Sequence, residues 1–131
     1  MSKNMKNIPV PVAIDLNFLR EVTVDDVEFE NEIFDLFLDT ANDNFDKFED
    51  ALNNDDSNAW YTHAHSFKGS SSSIGAFYLA EIAEYAQSHP KDSKEQKSEI
   101  FDELKKEFAR VKEFIIKTMK ETAKKSKKSK K

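Results

Sequence analysis

The scarcity of helix breakers constrains this chain more than any other feature. From Val12 to His89 there is no proline, and the two glycines of the chain are Gly69 and Gly75. Glycine and proline are the strongest local punctuators of a backbone, so a stretch this long without them has few places to turn. What fills it is apolar residues spaced three and four apart, the period of a helix buried along one side. Ile33, Phe34, Phe37, Leu38, Ala41, Phe45, Phe48 and Leu52 form one such stripe. Few stretches alternate as strands do.

The rest of the chain divides in the same way. Residues 15–22 predict a short first helix, and Thr23 to Asp26 supply capping residues for the second, which runs to about Leu52. Asn53 to Asp56 break the pattern, and Asp55 or Asp56 would cap a third helix by accepting backbone N–H bonds. That helix carries Trp60, Ala64, Phe67 and Ser71, with Gly75 at or just beyond its end or at a tight joint into the next. Leu79, Ile82, Ala83 and Ala86 stripe a fourth helix, which Pro90 terminates. A last helix over about residues 93–122 carries Phe101, Leu104, Phe108, Val111 and Ile115, at the alternating spacing of bundle packing. The expected class is therefore all-α, an up-and-down antiparallel four-helix bundle with an additional short N-terminal helix. Residues 1–13 are expected to be a flexible N-terminus, 14–122 one domain, and 123–131 a Lys-rich disordered tail. Most of the eleven phenylalanines fall on the stripes and read as core.

Composition excludes several functions. No window approaches the roughly 20 apolar residues that span a bilayer, and no apolar stretch follows Lys3 and Lys6 as in a secretory signal. With no cysteine there is no disulfide, thiolate metal site or thiol catalysis. A cytoplasmic location is the simplest reading. The net charge of −5 conceals a more acidic body, because residues 124–131 hold six lysines and no acid. An acidic body argues against nucleic-acid binding by the folded part. The lysine run reads first as a solvated end; its functional readings are contact with an acidic surface or a nuclear-import patch. A monomer is the default for a bundle that buries its own stripes.

Core packing leaves one face of the third helix unexplained. At about 100° per residue, Trp60, Ala64, Phe67 and Ser71 share the inner side, while His65, Lys68, Gly69 and Ser72 share the outer one. A glycine inside a helix costs about 1 kcal/mol relative to alanine, and one that points away from the core has no packing reason to be there. A partner that must reach His65 closely would supply a reason. A neutral imidazole nitrogen is a competent nucleophile near neutral pH. A phosphoryl group on it would carry about two negative charges, which Lys68 would stabilise one turn away. Ser72 or Ser70 would add a hydroxyl donor.

The run His65-Ser-Phe-Lys-Gly-Ser-Ser-Ser-Ser-Ile-Gly-Ala76 resembles the signature of the histidine phosphotransfer domain, and looks closest to the single-domain phosphorelay shuttles of fungi and plants. The resemblance covers about residues 14–118. It implies a four-helix bundle core in which His65 accepts the phosphoryl group, Lys68 neutralises it and Gly69 permits access. Ser70 carries over as a candidate site residue. Gln87 stands at the offset of a family glutamine that lies near the histidine. Phe67 replaces the leucine usual at its position. The family has no nucleotide site and no cofactor of its own. It exchanges phosphoryl groups with receiver domains of hybrid histidine kinases and response regulators, and the magnesium ion belongs to the receiver.

Plainer readings compete with these. His63 and His65, two apart on a helix, diverge by about 200° and cannot share one metal ion, so no metal site is expected. His63 reads as a flank residue and His89, beside Pro90, as a helix-terminal one. The rival from another class is a phosphate-independent helical adaptor that binds partners through its acidic surface. A receiver would need a partly apolar landing surface, for which Ile14, Leu16, Phe18, Leu19 and Val22 of the first helix are the candidates.

Overall fold

The computed structural model describes residues 11–129, with side chains to residue 125. Five helices follow one another: α1 Leu16–Val22, α2 Val27–Asn53, α3 Ser57–Ser73, α4 Phe77–Gln87 and α5 Lys94–Ser129. No strand occurs among the described residues. Helices α2 to α5 pack each against the next, and α5 closes the ring against α2. Short connections make the neighbours antiparallel, so the fold is an up-and-down four-helix bundle with the short α1 added.

Local chemistry starts the helices where the sequence places them. Asp15, Asp26 and Asp56 each accept the amide three residues on, at 3.1, 3.1 and 3.0 Å. Each such cap stabilises its helix by about 1 kcal/mol. Asp56 is thus the cap of α3, while Asp55 occupies the left-handed turn before it with φ 51°. At the other end of α3, the amides of Gly75 and Ala76 return to the carbonyls of Ser72 and Ser71 at 3.1 and 3.0 Å. Gly75 takes φ 83°, the left-handed conformation that closes a helix in this way. Its carbonyl accepts the Asp15 amide at 2.9 Å. A Cβ at Gly75 would stand 2.9 Å from the Asp15 carbonyl oxygen. The glycine therefore makes the α3–α4 turn and also lets the backbone entering α1 lie directly on it.

The aromatic core fixes how α3 is rotated. Phe67 is fully buried and meets Phe45 and Phe48 of α2 at centroid distances of 5.2 and 6.3 Å, and Phe108 of α5 at 6.5 Å. Trp60, also fully buried, stands edge-on to Phe48 at 5.2 Å, and its indole Nε1 donates to the Ala86 carbonyl at 2.8 Å. The buried stem of Lys97 brings Nζ to 5.4 Å from the centre of the Trp60 ring. With the inner side of α3 held on three sides, its outer side is presented to solvent.

Two buried carboxylates tie in the N-terminal part. Glu30 is buried on α2 and receives Arg20 of α1 through Nε at 2.8 Å and Nη2 at 3.3 Å. That hydrogen bond holds the Arg20 guanidinium above its usual pKa, with the Glu30 charge adding to it. Glu107 of α5 is buried beside Arg110, whose Nη2 also donates to the Pro11 carbonyl at 2.6 Å. The same kind of bond to Glu107 raises the Arg110 pKa.

The boundaries differ from expectation at both ends. Residues 1–10 and 130–131 of the expected flexible termini lie outside the described residues. Pro11 is bonded to Arg110, and Ala13 is buried, so packing against the bundle begins before residue 14. At the other end α5 continues to Ser129, past the expected boundary at Thr122 and through much of the stretch read as a disordered tail. Lysine and alanine are good helix formers, no glycine or proline intervenes, and cations are favourable near a helix C-terminus.

Candidate functional site

The site grows from the outer face of α3. His65 and Gly69 are exposed, and Lys68 and Ser72 are half-buried along the same side, as the helical wheel requires. Apart from its chain neighbours and the backbone of its own helix, nothing lies within 4 Å of where a Gly69 Cβ would stand. The space one turn beyond His65 is thus open.

The second wall comes from α4, which returns antiparallel after the Gly75 turn. Gln87 Oε1 lies 3.3 Å from His65 Nδ1. The amide nitrogen of Gln87 points to the Tyr61 hydroxyl at 3.5 Å, and the Tyr61 ring lies parallel to the imidazole at 6.4 Å between centroids. With its proton on Nδ1, the imidazole donates to this oxygen and keeps its lone pair on Nε2. One turn further, Lys68 Nζ meets Glu84 Oε1 at 3.2 Å. The hydrogen bond from Trp60 to Ala86 sits next to Gln87 in sequence and sets the register of the two helices there.

Not every candidate converges. The Ser70 hydroxyl donates to the Phe67 carbonyl at 3.1 Å, a local helix bond on a different flank from His65. Ser71 is buried among the core residues. His63 lines a small recess with Lys47, Asp50 and Asp56, away from His65. His89 stacks on Tyr85 at 4.0 Å, and its Nδ1 lies 2.7 Å from the Tyr85 carbonyl oxygen. No group of three or more potential metal ligands comes together among the described residues.

Of the first-helix candidates for a landing surface, Ile14 and Leu19 are buried, Leu16 and Phe18 half-buried, and Val22 exposed. Phe18 packs edge-on against Phe77 of α4 at 5.1 Å, and Phe77 is itself 42% exposed. A larger open groove of about 730 Å³ lies on the other flank of α4, lined by Tyr78, Tyr85, Glu81, Glu99 and Glu103 among others. It does not include His65. Tyr61 and Glu84 escape sequence reasoning because neither belongs to the motif. Glu84 carries a signal in retrospect: three residues forward from His65 and three back from Gln87 land on Lys68 and Glu84, as an antiparallel pair must.

Comparison with known proteins agrees with this architecture. The Hpt domain family model matches residues 32–114, from early α2 into the middle of α5. The chain is similar to the crystal structure of histidine-containing phosphotransfer protein B from Pseudomonas aeruginosa PAO1, with 26% identity and a TM-score of 0.72. That match covers 83% of this chain and 96% of the bacterial one. No curated protein sequence matches. Among the described residues, no helix is long and apolar enough to cross a membrane. With an all-helical bundle, an exposed histidine and a family match over more than half its length, the chain belongs to the histidine phosphotransfer domain family, the phosphocarriers of phosphorelays.

Proposed function

We propose that His65 is the phosphoryl acceptor and that the chain shuttles the group between receiver domains, from a hybrid histidine kinase to a response regulator. The observation that carries this reading is the state of one imidazole. It is exposed, its Nδ1 is engaged by Gln87 Oε1 at 3.3 Å, and the turn beyond it is left clear by Gly69. In the forward step the Nε2 lone pair attacks the phosphorus of an aspartyl phosphate. The N–P bond forms as the P–O bond breaks, and the aspartate leaves as a carboxylate with the electron pair. The ring keeps its Nδ1 proton and becomes cationic, a charge that Gln87 Oε1 stabilises as acceptor. Onward transfer reverses these changes on a second receiver. Positioning and charge stabilisation provide most of the catalysis in such transfers. The magnesium ion belongs to the receiver, and this chain contributes the nucleophile and the local charge. The half-buried Phe18 and exposed Phe77 lie beyond Ser72 and offer an apolar margin for a receiver to rest on.

The test is incubation with a phosphorylated receiver domain, followed by assay for acid-labile phosphohistidine. His65→Gln abolishes acceptance with an unchanged melting temperature, and His63→Gln retains it. Labelling that survives the loss of His65 would overturn the assignment.

A further inference from the structure

Lys68 is engaged, and its partner Glu84 is a charged residue that the phosphotransfer motif does not contain. Its ammonium lies 3.2 Å from Glu84 Oε1, across two helices, with the lysine side chain 36% and the glutamate 58% exposed. An ion pair this open contributes little to folding, because water screens it and two long side chains must be held still. It is placed where charge matters to chemistry, one turn along the α3–α4 seam from the pair formed by His65 and Gln87.

We propose that Glu84 tunes the phosphoryl-transfer equilibrium of this domain by competing with the phosphoryl group for Lys68, so that phosphorylated His65 remains a ready donor. This rests on the reading of His65 as acceptor. A phosphoryl group on Nε2 brings about two negative charges, offset in part by the cationic ring, within roughly a helical turn of both residues. That separation is inside the screening length of about 8 Å at physiological salt. Lys68 is drawn to the new charge and Glu84 is repelled by it. Each phosphorylation must therefore loosen an existing ion pair and place a dianion near a carboxylate. Both effects raise the free energy of phosphohistidine relative to free histidine, and neither acts on the aspartyl phosphate of the receiver. Onward transfer breaks the N–P bond, returns its electron pair to Nε2, forms the P–O bond to the receiver carboxylate, and restores the ion pair. A carrier whose phosphorylated form is too stable retains its cargo, and Glu84 opposes that.

The opposite role would be a Glu84 that holds Lys68 in place for the phosphoryl group. The two roles predict opposite signs. The experiment uses the full chain and a purified receiver, and measures the equilibrium ratio of phosphohistidine to phosphoaspartate together with the rate of return to the receiver. Glu84→Gln should shift the ratio toward histidine by roughly two- to fivefold, the range of an exposed ion pair, and slow the return. The shift should shrink at high salt, and should be smaller in a Lys68→Ala background, where only repulsion remains. The melting curve should match that of the unmodified chain. A ratio that is unchanged, or that moves toward aspartate, overturns the proposal. The acceptor assignment fails separately, through labelling that persists in His65→Gln. Normal labelling at His65 with no effect of Glu84→Gln defeats this proposal alone.

Discussion

The two sides of α3 differ in what holds them. On the inner side, Trp60, Ala64 and Phe67 are fully buried, and the indole is hydrogen-bonded at 2.8 Å. On the outer side, His65 and Lys68 make only exposed contacts of 3.3 and 3.2 Å. Residues two positions apart thus serve different ends. The inner face is close-packed, so a lost methylene is felt. The outer face makes weak contacts that can be exchanged for those of a partner. A helix used this way separates stability from reactivity by rotation about its axis, and a site residue can be changed without unfolding the bundle.

The comparison can be broken most severely at Phe67. Phe67→Ala should destabilise the domain by about 3–5 kcal/mol in denaturant unfolding, since the ring is buried against four others. A loss below 1 kcal/mol would mean that the inner face is not the anchor. Next comes Gly75, where alanine meets a φ of 83° and an oxygen at 2.9 Å. Gly75→Ala should cost about 1–3 kcal/mol and loosen α1, which protease digestion near residue 15 would detect. Gln87→Ala belongs to the other side. It should slow phosphotransfer roughly three- to tenfold, as expected for one hydrogen bond of about 1 kcal/mol, and leave thermal stability nearly unchanged. An unaltered rate would make Gln87 a surface amide only.

The smallest effect is the most discriminating. Gly69→Ala should raise stability by up to about 1 kcal/mol, because its Cβ meets nothing beyond its own helix within 4 Å and alanine is the better helix former. Gly69→Gln should fit the helix equally well and reduce transfer by standing in a receiver's path. Stability gained at one glycine and lost at the other, measured by melting, would show that the two glycines of this chain answer opposite demands.

The helices were legible because each must bury one face, and burial leaves a period in the sequence. The same period explains Glu30 and Asn44, which continue the α2 stripe at positions where the composition reads as polar. Their burial depends on partners that no local pattern reveals, such as Arg20 for Glu30. His65, Lys68 and Gly69 were legible because one helix carries all three. Tyr61 shares that helix but gains its meaning from Gln87, and Glu84 gains its meaning from Lys68 across the seam. Contacts between helices depend on their register, which is set here by the Gly75 turn and the Trp60 hydrogen bond. The reach of α5 beyond Thr122 is hidden in the sequence because a run of lysines reads both as a solvated end and as a string of good helix formers.

Trp60 is the chain's one tryptophan, and its position gives the molecule a built-in optical gauge. Its indole is sealed from solvent, donates to a backbone carbonyl of α4 and lies under the Lys97 ammonium. Its emission therefore records whether α4 is seated on α3, and little that happens on the far side of the helix. Chemistry at His65 that leaves the seam closed will be dark in this channel, while any opening of the seam will shift the emission to the red. Changes in charge and changes in shape can then be followed separately in the same unlabelled sample.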